Sequence, residues 1–254
     1  MPIEQTIDAI WKCHQSGDHF PEAWKGKLSV DDGYRVQQGI LAKKLAAGAR
    51  QAGWKIGFTG DAVRKMFGAS APVFGYLLEA GRFPSGHAFA LEKLGAALVE
   101  SEVLVILGKE LKGPGVTRDQ ARAAIREIAP AFEIITRRGD MRVDLPLGLA
   151  DNVMHTALVV GPARALKPGE DLGEIRAEAL INGKPTETVL GREAMDNPVD
   201  SLAWLANTVA AFGKSLAAGQ VVLTGTFTKP PAASRGDRFE TRFSGLGTVS
   251  ASFN

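Results

Sequence analysis

The sequence is poor in cysteine, in long apolar runs and in blocks of like charge. Cys13 is the one cysteine among 254 residues, which excludes an internal disulfide and a cysteine-rich zinc site. The longest apolar stretches fall well short of the ~18 residues that a membrane helix requires. Since 30 basic and 28 acidic residues leave a net charge of +2, neither nucleic acid nor a membrane is expected as a partner.

Targeting and cofactor motifs are scarce as well. The N-terminal segment has no basic region followed by an apolar core, so it does not resemble a signal peptide, and we expect a cytoplasmic protein. No glycine-rich phosphate-binding motif follows a predicted strand, so a nucleotide cofactor is not expected. The four histidines show no metal-ligand spacing; they are His14, His19, His87 and His155.

Helical patterns dominate the first part of the chain. Apolar spacing predicts a helix at 3–14. A capping signal in the next segment predicts a second helix at 29–52. We therefore predict a mainly helical N-terminal region at 1–70 and a β-rich catalytic core at 71–254, which together form one compact unit.

The later segments are mainly strand-like. A capping box predicts a helix at 118–128 that ends before Pro130, and an apolar stripe predicts a helix at 201–218. The dipeptide at Asn182 and Gly183 predicts a tight hairpin turn. Because helices come early and no βαβ repeat follows them, this order predicts an α+β fold.

Three glutamates are placed as a divalent cation site requires. Glu100 and Glu102 share one face of a predicted strand, and that face continues with Leu104 and Ile106. Glu133 lies in a second apolar run, where a lone charge is out of place. Buried carboxylates are costly unless they are paired or bound to a metal, and oxygen ligands suit Mg²⁺ or Mn²⁺. The alternative is a solvated face that protects an edge strand.

Several short motifs occur together in a fixed order along the chain. They are Trp-Lys-Ile-Gly-Phe-Thr (54–59), Pro-Val-Phe-Gly-Tyr-Leu (72–77), Glu-Ser-Glu (100–102), Pro-Ala-Phe-Glu-Ile-Ile (130–135), Asp-Asn (151–152), Leu-Ala-Trp-Leu-Ala-Asn (202–207), Val-Leu-Thr-Gly-Thr (222–226) and Gly-Leu-Gly-Thr-Val-Ser (245–250). The ordered set resembles the bacterial 2-oxopent-4-enoate hydratase/4-oxalocrotonate decarboxylase family, within the fumarylacetoacetate hydrolase superfamily.

The resemblance implies both an architecture and a site. The fold would be α+β, with a mixed β-barrel-like core of the fumarylacetoacetate hydrolase type and a helical N-terminal part. Glu100, Glu102 and Glu133 would hold Mg²⁺ or Mn²⁺, as the corresponding glutamates do in that family. Lys55 maps onto a lysine of the family active site, although a lone lysine would more often keep its charge in solvent.

Two reactions in the family share an enolate that a divalent metal stabilises. In one, a 2-oxo-3-enedioate of the 4-oxalocrotonate type loses CO₂. In the other, a 2-hydroxydienoate (2-oxopent-4-enoate type) takes up water, which requires proton delivery to a distal carbon. The resemblance therefore predicts a metal-dependent lyase of unsaturated 2-oxo acids in aromatic catabolism.

One departure from the family pattern favours decarboxylation. Hydratases of the family usually carry aspartate where this chain has Val73, whereas the decarboxylase branch tends to be aliphatic there. Valine transfers no proton, so the standard hydratase mechanism is in doubt. A further departure follows Asp151 and Asn152, where small polar residues are common in the family and this chain has Val153, Met154 and His155.

Other candidates are more open. Arg138 either binds a substrate carboxylate or forms a structural ion pair. Gly225 and Thr226 are predicted to bind a carboxylate through a backbone N–H and a hydroxyl, with a plain strand-end turn as the alternative. His155 is expected to be a core histidine, although an approach to the pocket stays open.

The N-terminal segment and the state of assembly complete these expectations. His19 and Glu22 lie roughly where hydrolases of the superfamily carry a His/Glu pair on a helical lid, but such residues are also common in flexible segments. We expect a homo-oligomer, which a sister hydratase or decarboxylase could join. A non-catalytic partner subunit is the alternative of another class, and the intact carboxylate trio argues against it.

Overall fold

The computed structural model describes residues 2–254 and contains helices and strands in similar measure. Within these residues the α-helices are α1 (Ile3–Gln15), α2 (Val30–Ala46), α3 (Asp61–Phe67), α4 (Leu91–Leu94), α5 (Arg118–Ala124), α6 (Leu145–Ala150), α7 (Gly191–Ala194) and α8 (Pro198–Val209). The strands are β1 (Gln51–Gly57), β2 (Val73–Leu78), β3 (Arg82–Pro84), β4 (His87–Phe89), β5 (Ala97–Leu107), β6 (Ile125–Thr136), β7 (His155–Val160), β8 (Arg164–Ala165), β9 (Arg176–Ile181), β10 (Lys184–Leu190), β11 (Val221–Thr226), β12 (Arg238–Phe243) and β13 (Gly247–Phe253).

Two mixed sheets form the β-rich part. The larger sheet runs in the order β2-β1-β11-β5-β6-β7-β3, with β8 beside β6, and the smaller one runs β10-β9-β12-β13-β4. Most neighbours are antiparallel, but β1 and β11, β3 and β7, and β4 and β13 are parallel. Neither sheet closes on itself within the described residues. The predicted α+β class is confirmed, and its β-barrel-like core consists of two open sheets.

The two faces of β5 contact different apolar clusters. Val103 and Val105 point into the main core, which also contains residues of the smaller sheet. Leu104 and Ile106 belong to a separate apolar cluster on the other face of the large sheet, together with Leu223. Because alternate residues share a face, Glu100 and Glu102 continue this second face beyond the cluster. Acidic side chains therefore lie at the end of an apolar interior.

The N-terminal helices pack beside the large sheet. α2 begins with a capping box in which Ser29 and Asp32 bond to each other's backbone N–H groups, as the sequence predicts. Within α2, Gln37 donates from Nε2 to the carbonyls of Phe74 and Leu149, which ties the helix to β2 and α6. No helix within residues 2–254 has the length and apolar character needed to span a bilayer.

The next strand joins this helical region to the sheet. β1 pairs with β11 and β2, although it lies on the N-terminal side of the predicted division at residue 70. That division stays a prediction. The helix predicted at 29–52 ends early, at Ala46, because the chain turns at Gly48, whose φ of +93° suits glycine far better than other residues.

The helix predicted at 118–128 is also shorter in the structure. α5 ends at Ala124, and Pro130 lies inside β6 instead of marking a boundary. The Pro130 carbonyl accepts from the N–H of Gly161, on the side where pairing with β7 gives way to pairing with β8. In a strand the N and the C=O of one residue point to the same side. The nitrogen of Pro130 therefore faces the gap between β7 and β8, where no strand residue would accept its hydrogen, so the missing N–H removes no bond from the sheet.

The helix predicted at 201–218 differs at its C-terminal end. α8 ends at Val209, and a short 3₁₀ turn then leads to Gly213 at φ +68°. The hairpin predicted at Asn182 and Gly183 is present between β9 and β10, with φ values of +53° and +76°. These angles are those of a turn with two left-handed residues, which asparagine and glycine adopt most readily.

Candidate metal centre

Three glutamates converge at one place on the large sheet. Glu100 on β5 stands directly opposite Glu133 on β6, and Glu102 is the next residue on the same face of β5. One carboxylate oxygen from each lies within 4.8 Å of the other two. Glu102 and Glu133 are 1% and 0% exposed. Facing like charges destabilise a sheet, so this arrangement requires nearby positive charge or bound protons.

The hydrogen bonds leave several carboxylate oxygens of the trio free for a cation. Glu102 accepts at Oε2 from the N–H of Gly225 at 2.8 Å. Glu133 accepts at Oε1 from Nδ1 of His155 at 2.9 Å, and the same oxygen lies 3.3 Å from Nζ of Lys55. The other oxygen of Glu133, Oε2, is buried without a partner. An orphaned carboxylate oxygen among all-oxygen donors fits Mg²⁺ or Mn²⁺.

The three carboxyl groups differ in their affinity for protons. Burial, followed by the charge of Glu133, raises the pKa of Glu100 to about 8. Burial and the charges of Glu133 and Glu100 likewise raise the pKa of Glu102. Burial opposes the ionisation of Glu133, but Lys55 and His155 outweigh it and lower the pKa of that group. Protons therefore occupy part of the cluster when no cation does.

Lys55 lies deep in the sheet beside the glutamates. It is on β1, opposite Leu223 on one side and Gly75 on the other, and is 2% exposed. Burial alone would lower the pKa of Lys55, but the charges of Glu133, Glu100 and Glu102 outweigh it and raise that pKa. Lys55 is therefore a protonated ammonium in direct contact with the carboxylate cluster.

Two valine side chains lie near the Lys55 ammonium. A Cβ atom placed on Gly57 would lie 3.4 Å from Lys55 Nζ, 3.2 Å from Val73 and 3.9 Å from Val153. Val73 itself is only 3% exposed. The position where the family's hydratases carry aspartate is thus a buried valine close to the ammonium.

The sequence interpretation favoured a core position for His155 and left an approach to the pocket open. The side chain is buried, at 6% exposure, and is hydrogen-bonded to Glu133 of the cluster. A bulge in β7 changes its direction, since Ala157 pairs with Ile134 but His155 pairs with Ile135, and Thr156 is skipped. The bulge places His155 on the same face as Glu133, and regular strand alternation counted from the sequence gives no signal of it.

Arg138 forms an internal ion pair. Its Nε donates to Oδ2 of Asp151 at 2.8 Å, and its Nη1 donates to the hydroxyl of Thr156 at 2.9 Å. Asp151 also contacts Nδ1 of His19 at 2.8 Å. Of the two roles open for Arg138, these contacts describe the structural ion pair. Glu22 lies apart from this network and pairs with Lys25 near the surface.

Gly225 and Thr226 use their predicted donors within the chain. The N–H of Gly225 is engaged by Glu102, and the hydroxyl of Thr226 donates to the carbonyl of Thr228 at 2.9 Å. The carboxylate held by Gly225 in this structure is thus a glutamate of the cluster itself. Substrate binding by these two residues stays a prediction.

A second group of possible ligands joins the N-terminal region to the segment after α6. His14, His19 and Asp151 bring ligand atoms within 4.8 Å of one another. Burial lowers the pKa of His14 to about 4, with further lowering by Lys44 and Arg138. The nearby lysine and arginine already supply positive charge to Asp151, and this arrangement disfavours a dication there.

The backbone between the ion pair and His155 is strained. Asn152, Val153 and Met154 have φ values of +55°, +53° and +60°, which are rare for residues other than glycine and most of all for valine. The side chain of Asn152 holds the segment, since Oδ1 accepts from the N–H of Tyr76 and Nδ2 donates to the carbonyl of the same residue. Strain held in place next to a polar cluster is typical of functional sites.

The chain matches a known family over most of its length. Residues 84–254 match the family model described as Fumarylacetoacetate (FAA) hydrolase C-terminal. The matched region begins after Lys55 and includes all three glutamates of the cluster. The predicted superfamily is therefore confirmed.

Curated relatives have two different activities. A 2-hydroxyhexa-2,4-dienoate hydratase from Comamonas testosteroni is 34% identical over 239 residues, which cover 93% of this chain and 89% of the relative. A 4-oxalocrotonate decarboxylase from Pseudomonas putida is 30% identical over 252 residues, which cover 99% of this chain and 94% of the relative. Both members of the predicted family pair are thus similar to this chain.

A solved structure matches the whole fold. The 4-oxalocrotonate decarboxylase from Pseudomonas putida G7, complexed with calcium and acetate, superposes with a TM-score of 0.90 at 28% identity, covering 99% of this chain and 97% of that one. The complex with magnesium and adipate gives a TM-score of 0.87 at 28% identity, covering 99% and 96%. The homologous structures therefore contain divalent metals, as was predicted for the family.

Proposed function

This chain belongs to the fumarylacetoacetate hydrolase family, and we propose that it is a divalent-metal-dependent lyase that decarboxylates a 2-oxo-3-enedioate of the 4-oxalocrotonate type in aromatic catabolism. The decarboxylase relative and the magnesium and calcium complexes of its homologue support this proposal. So does the orphaned oxygen of Glu133, which fits a hard cation.

The residues have separate tasks in the proposed reaction. Glu100, Glu102 and Glu133 hold Mg²⁺ or Mn²⁺, which supplies the Lewis acidity that draws electrons towards the ketone oxygen of the substrate. Lys55 places its ammonium beside that centre, where it stabilises the negative charge that develops as CO₂ leaves. The same ammonium is positioned to return a proton to the remaining enolate.

The observation that carries the choice of decarboxylation is the burial of Val73 next to Lys55. A Cβ on Gly57 would touch both residues, so the aliphatic side chain lies near the ammonium. The family pattern implies that the hydratases carry their proton-handling aspartate at this position. Decarboxylation requires chiefly an electron sink, whereas hydration also requires a group that moves a proton at the distal carbon. The carboxylate cluster provides the first requirement, and Val73 cannot meet the second.

Hydration is the second candidate because one relative, 34% identical to this chain, is a 2-hydroxyhexa-2,4-dienoate hydratase. In that reaction Lys55 would have to move the proton that Val73 cannot. A hydratase of this kind would also use the trio of glutamates, so metal binding does not distinguish the two candidates.

The test measures both products on one set of substrates. The purified protein, with Mn²⁺ or Mg²⁺, is given 2-oxo-3-enedioates and 2-hydroxydienoates of several chain lengths, and CO₂ release and water addition are followed separately. We expect metal-dependent CO₂ release, and we expect Glu133→Gln to reduce it by ~10²-fold or more because a charged ligand is lost.

Each alternative outcome identifies a different function. Water addition without CO₂ release would replace the first candidate by the second. Tight Mn²⁺ binding without turnover of any 2-oxo acid would support a non-catalytic partner subunit. Equal turnover by the wild type and Glu133→Gln would remove the glutamate trio from the reaction.

A further inference from the structure

We propose that His155 is a positioning residue that fixes Glu133, so that one carboxylate oxygen of Glu133 stays turned towards the metal. This inference rests on the proposed metal-dependent function and deepens it. The family motifs assign no role to His155, and regular strand alternation would point its side chain away from Glu133.

The two oxygens of Glu133 have contrasting surroundings. Oε1 receives Nδ1 of His155 at 2.9 Å and lies 3.3 Å from Nζ of Lys55, whereas Oε2 is buried and has no partner. In this 2.9 Å contact we assign the carboxylate oxygen as the acceptor, so that Nδ1 of His155 carries the hydrogen. The imidazole and the ammonium therefore engage one oxygen of Glu133 and leave the other one available to a cation. Hydrogen bonds of this kind to a ligating carboxylate orient it and tune the metal.

The backbone before His155 is built to hold it in this direction. Asn152, Val153 and Met154 form a left-handed run that is strained for residues other than glycine, and the bulge at Thr156 then turns His155 onto the face of Glu133. A regular strand here would avoid both features and point His155 away from the cluster. The strained segment thus maintains the contact between His155 and Glu133.

His155 also makes the position of Glu133 independent of Lys55. If Lys55 alone held Oε1, any movement of the ammonium towards substrate would release the carboxylate. The shorter bond from His155 keeps Glu133 in place while Lys55 acts elsewhere. The expected consequence is that His155 controls metal affinity and that Lys55 controls the reaction.

The experiment compares two substitutions that differ in one hydrogen-bond donor. His155→Leu fills a similar volume without a donor, while His155→Asn places an amide N–H at the position of Nδ1. Mn²⁺ affinity is measured on each purified protein by titration with electron paramagnetic resonance, with His87→Asn as the matched control. His87 stacks on Phe83, away from the glutamates.

We expect the leucine variant to bind Mn²⁺ with a dissociation constant ~10–100-fold higher than the wild type. The asparagine variant should recover most of the affinity, and His87→Asn should match the wild type. Equal affinity in the wild type and the leucine variant would overturn the proposal. Lack of Mn²⁺ binding by the wild type would instead remove the metal premise of the proposed function.

A measurement on the unmodified protein covers the case in which the leucine variant does not fold. The ¹⁵N chemical shifts of His155 identify its tautomer. The proposed contact requires the hydrogen on Nδ1, the less common tautomer of free imidazole. A neutral His155 with its hydrogen on Nε2 would overturn the positioning role.

Discussion

At the scale of one residue, Lys55 competes with a bound metal ion for the carboxylates of the centre. Its ammonium lies 3.3 Å from Oε1 of Glu133 and is almost fully buried. A bound dication and this ammonium are attracted to the same carboxylates, so each weakens the hold of the cluster on the other. The lysine is therefore expected to lower metal affinity while it promotes the reaction.

Lys55→Met tests this division. We expect turnover to fall by ~10²–10⁴-fold because the proton carrier is lost, while Mn²⁺ affinity stays the same or increases. The measurements are steady-state rates and Mn²⁺ titration, with Lys44→Met as the matched control. Lys44 is also partly buried, but its ammonium lies over the ring of Tyr76. A loss of Mn²⁺ affinity that parallels the loss of turnover would contradict the expectation.

The individual residues were predictable where strand alternation holds. Glu100 and Glu102 share a face, and that face does run from acid into a buried cluster, as the sequence indicates. The face on which His155 lies could not be predicted from the sequence. The bulge at Thr156 moves the side chain of His155 to the opposite face from the one that regular alternation predicts. The roles of the glutamates and Lys55 stay predictions, whereas their proximity is a feature of the structure.

At the scale of elements, the end of β11 supplies a hydrogen bond to the centre. Between Leu223 and Thr226 this strand has one more residue than its partner β5. The extra residue frees the N–H of Gly225 from the ladder, and that N–H donates to Glu102. Gly225 has a φ of +115°, and a Cβ there would lie 2.4 Å from Oγ1 of buried Thr59.

Gly225→Ala is expected to disturb the centre as well as the strand. The added methyl group must displace Thr59, which moves the N–H away from Glu102 and weakens Mn²⁺ binding. Gly219→Ala is the matched control, since Gly219 has a φ of +86° with no atom within 4 Å of the new Cβ. The control should lose ~1–2 kcal/mol of stability from backbone strain alone and keep its Mn²⁺ affinity. Equal Mn²⁺ affinity in the two variants would contradict this account.

Elements were predicted well where local chemistry decides them. The hairpin at Asn182 and Gly183 follows from residues that accept left-handed backbone angles. The ends of α2, α5 and α8 were placed too late, because helix-forming composition continues past the point where sheet pairing or a left-handed glycine ends the helix. Pro130 shows the same limit, since only the break between β7 and β8 reveals that a proline is tolerated in β6.

At the scale of the whole molecule, the fold encloses negative charge inside its large sheet. β5 and β6 are neighbours near the middle of that sheet, and their pairing sets Glu100 opposite Glu133, with Glu102 and Glu133 buried. Because the ammonium of Lys55 balances only one of the three carboxylates, the folded chain must also hold protons or a metal cation at this place. Stability, pH and metal concentration are therefore linked through the cluster.

The sign of this linkage follows from Glu100. The ordinary pKa of such a group is 4.5, and in the folded chain the pKa of Glu100 is raised to about 8. Between these values the folded state without metal binds more protons than the unfolded state, so the stability from this group is full below pH 4.5 and is lost as the pH rises through 8. A bound dication replaces these protons and removes the loss.

We therefore expect stabilisation by metal to increase with pH. The increase in melting temperature caused by excess Mn²⁺ should be larger at pH 8 than at pH 6, because fewer protons compete with the metal for the carboxylates. Thermal unfolding with and without Mn²⁺ across this range measures the effect, and calorimetric titration in buffers of different ionisation enthalpy counts the protons released. Glu100→Gln should release fewer protons and weaken the pH dependence, whereas Glu92→Gln, a change outside the cluster, should behave as the wild type. Equal stabilisation at both pH values would show that the buried carboxylates are already ionised before the metal binds.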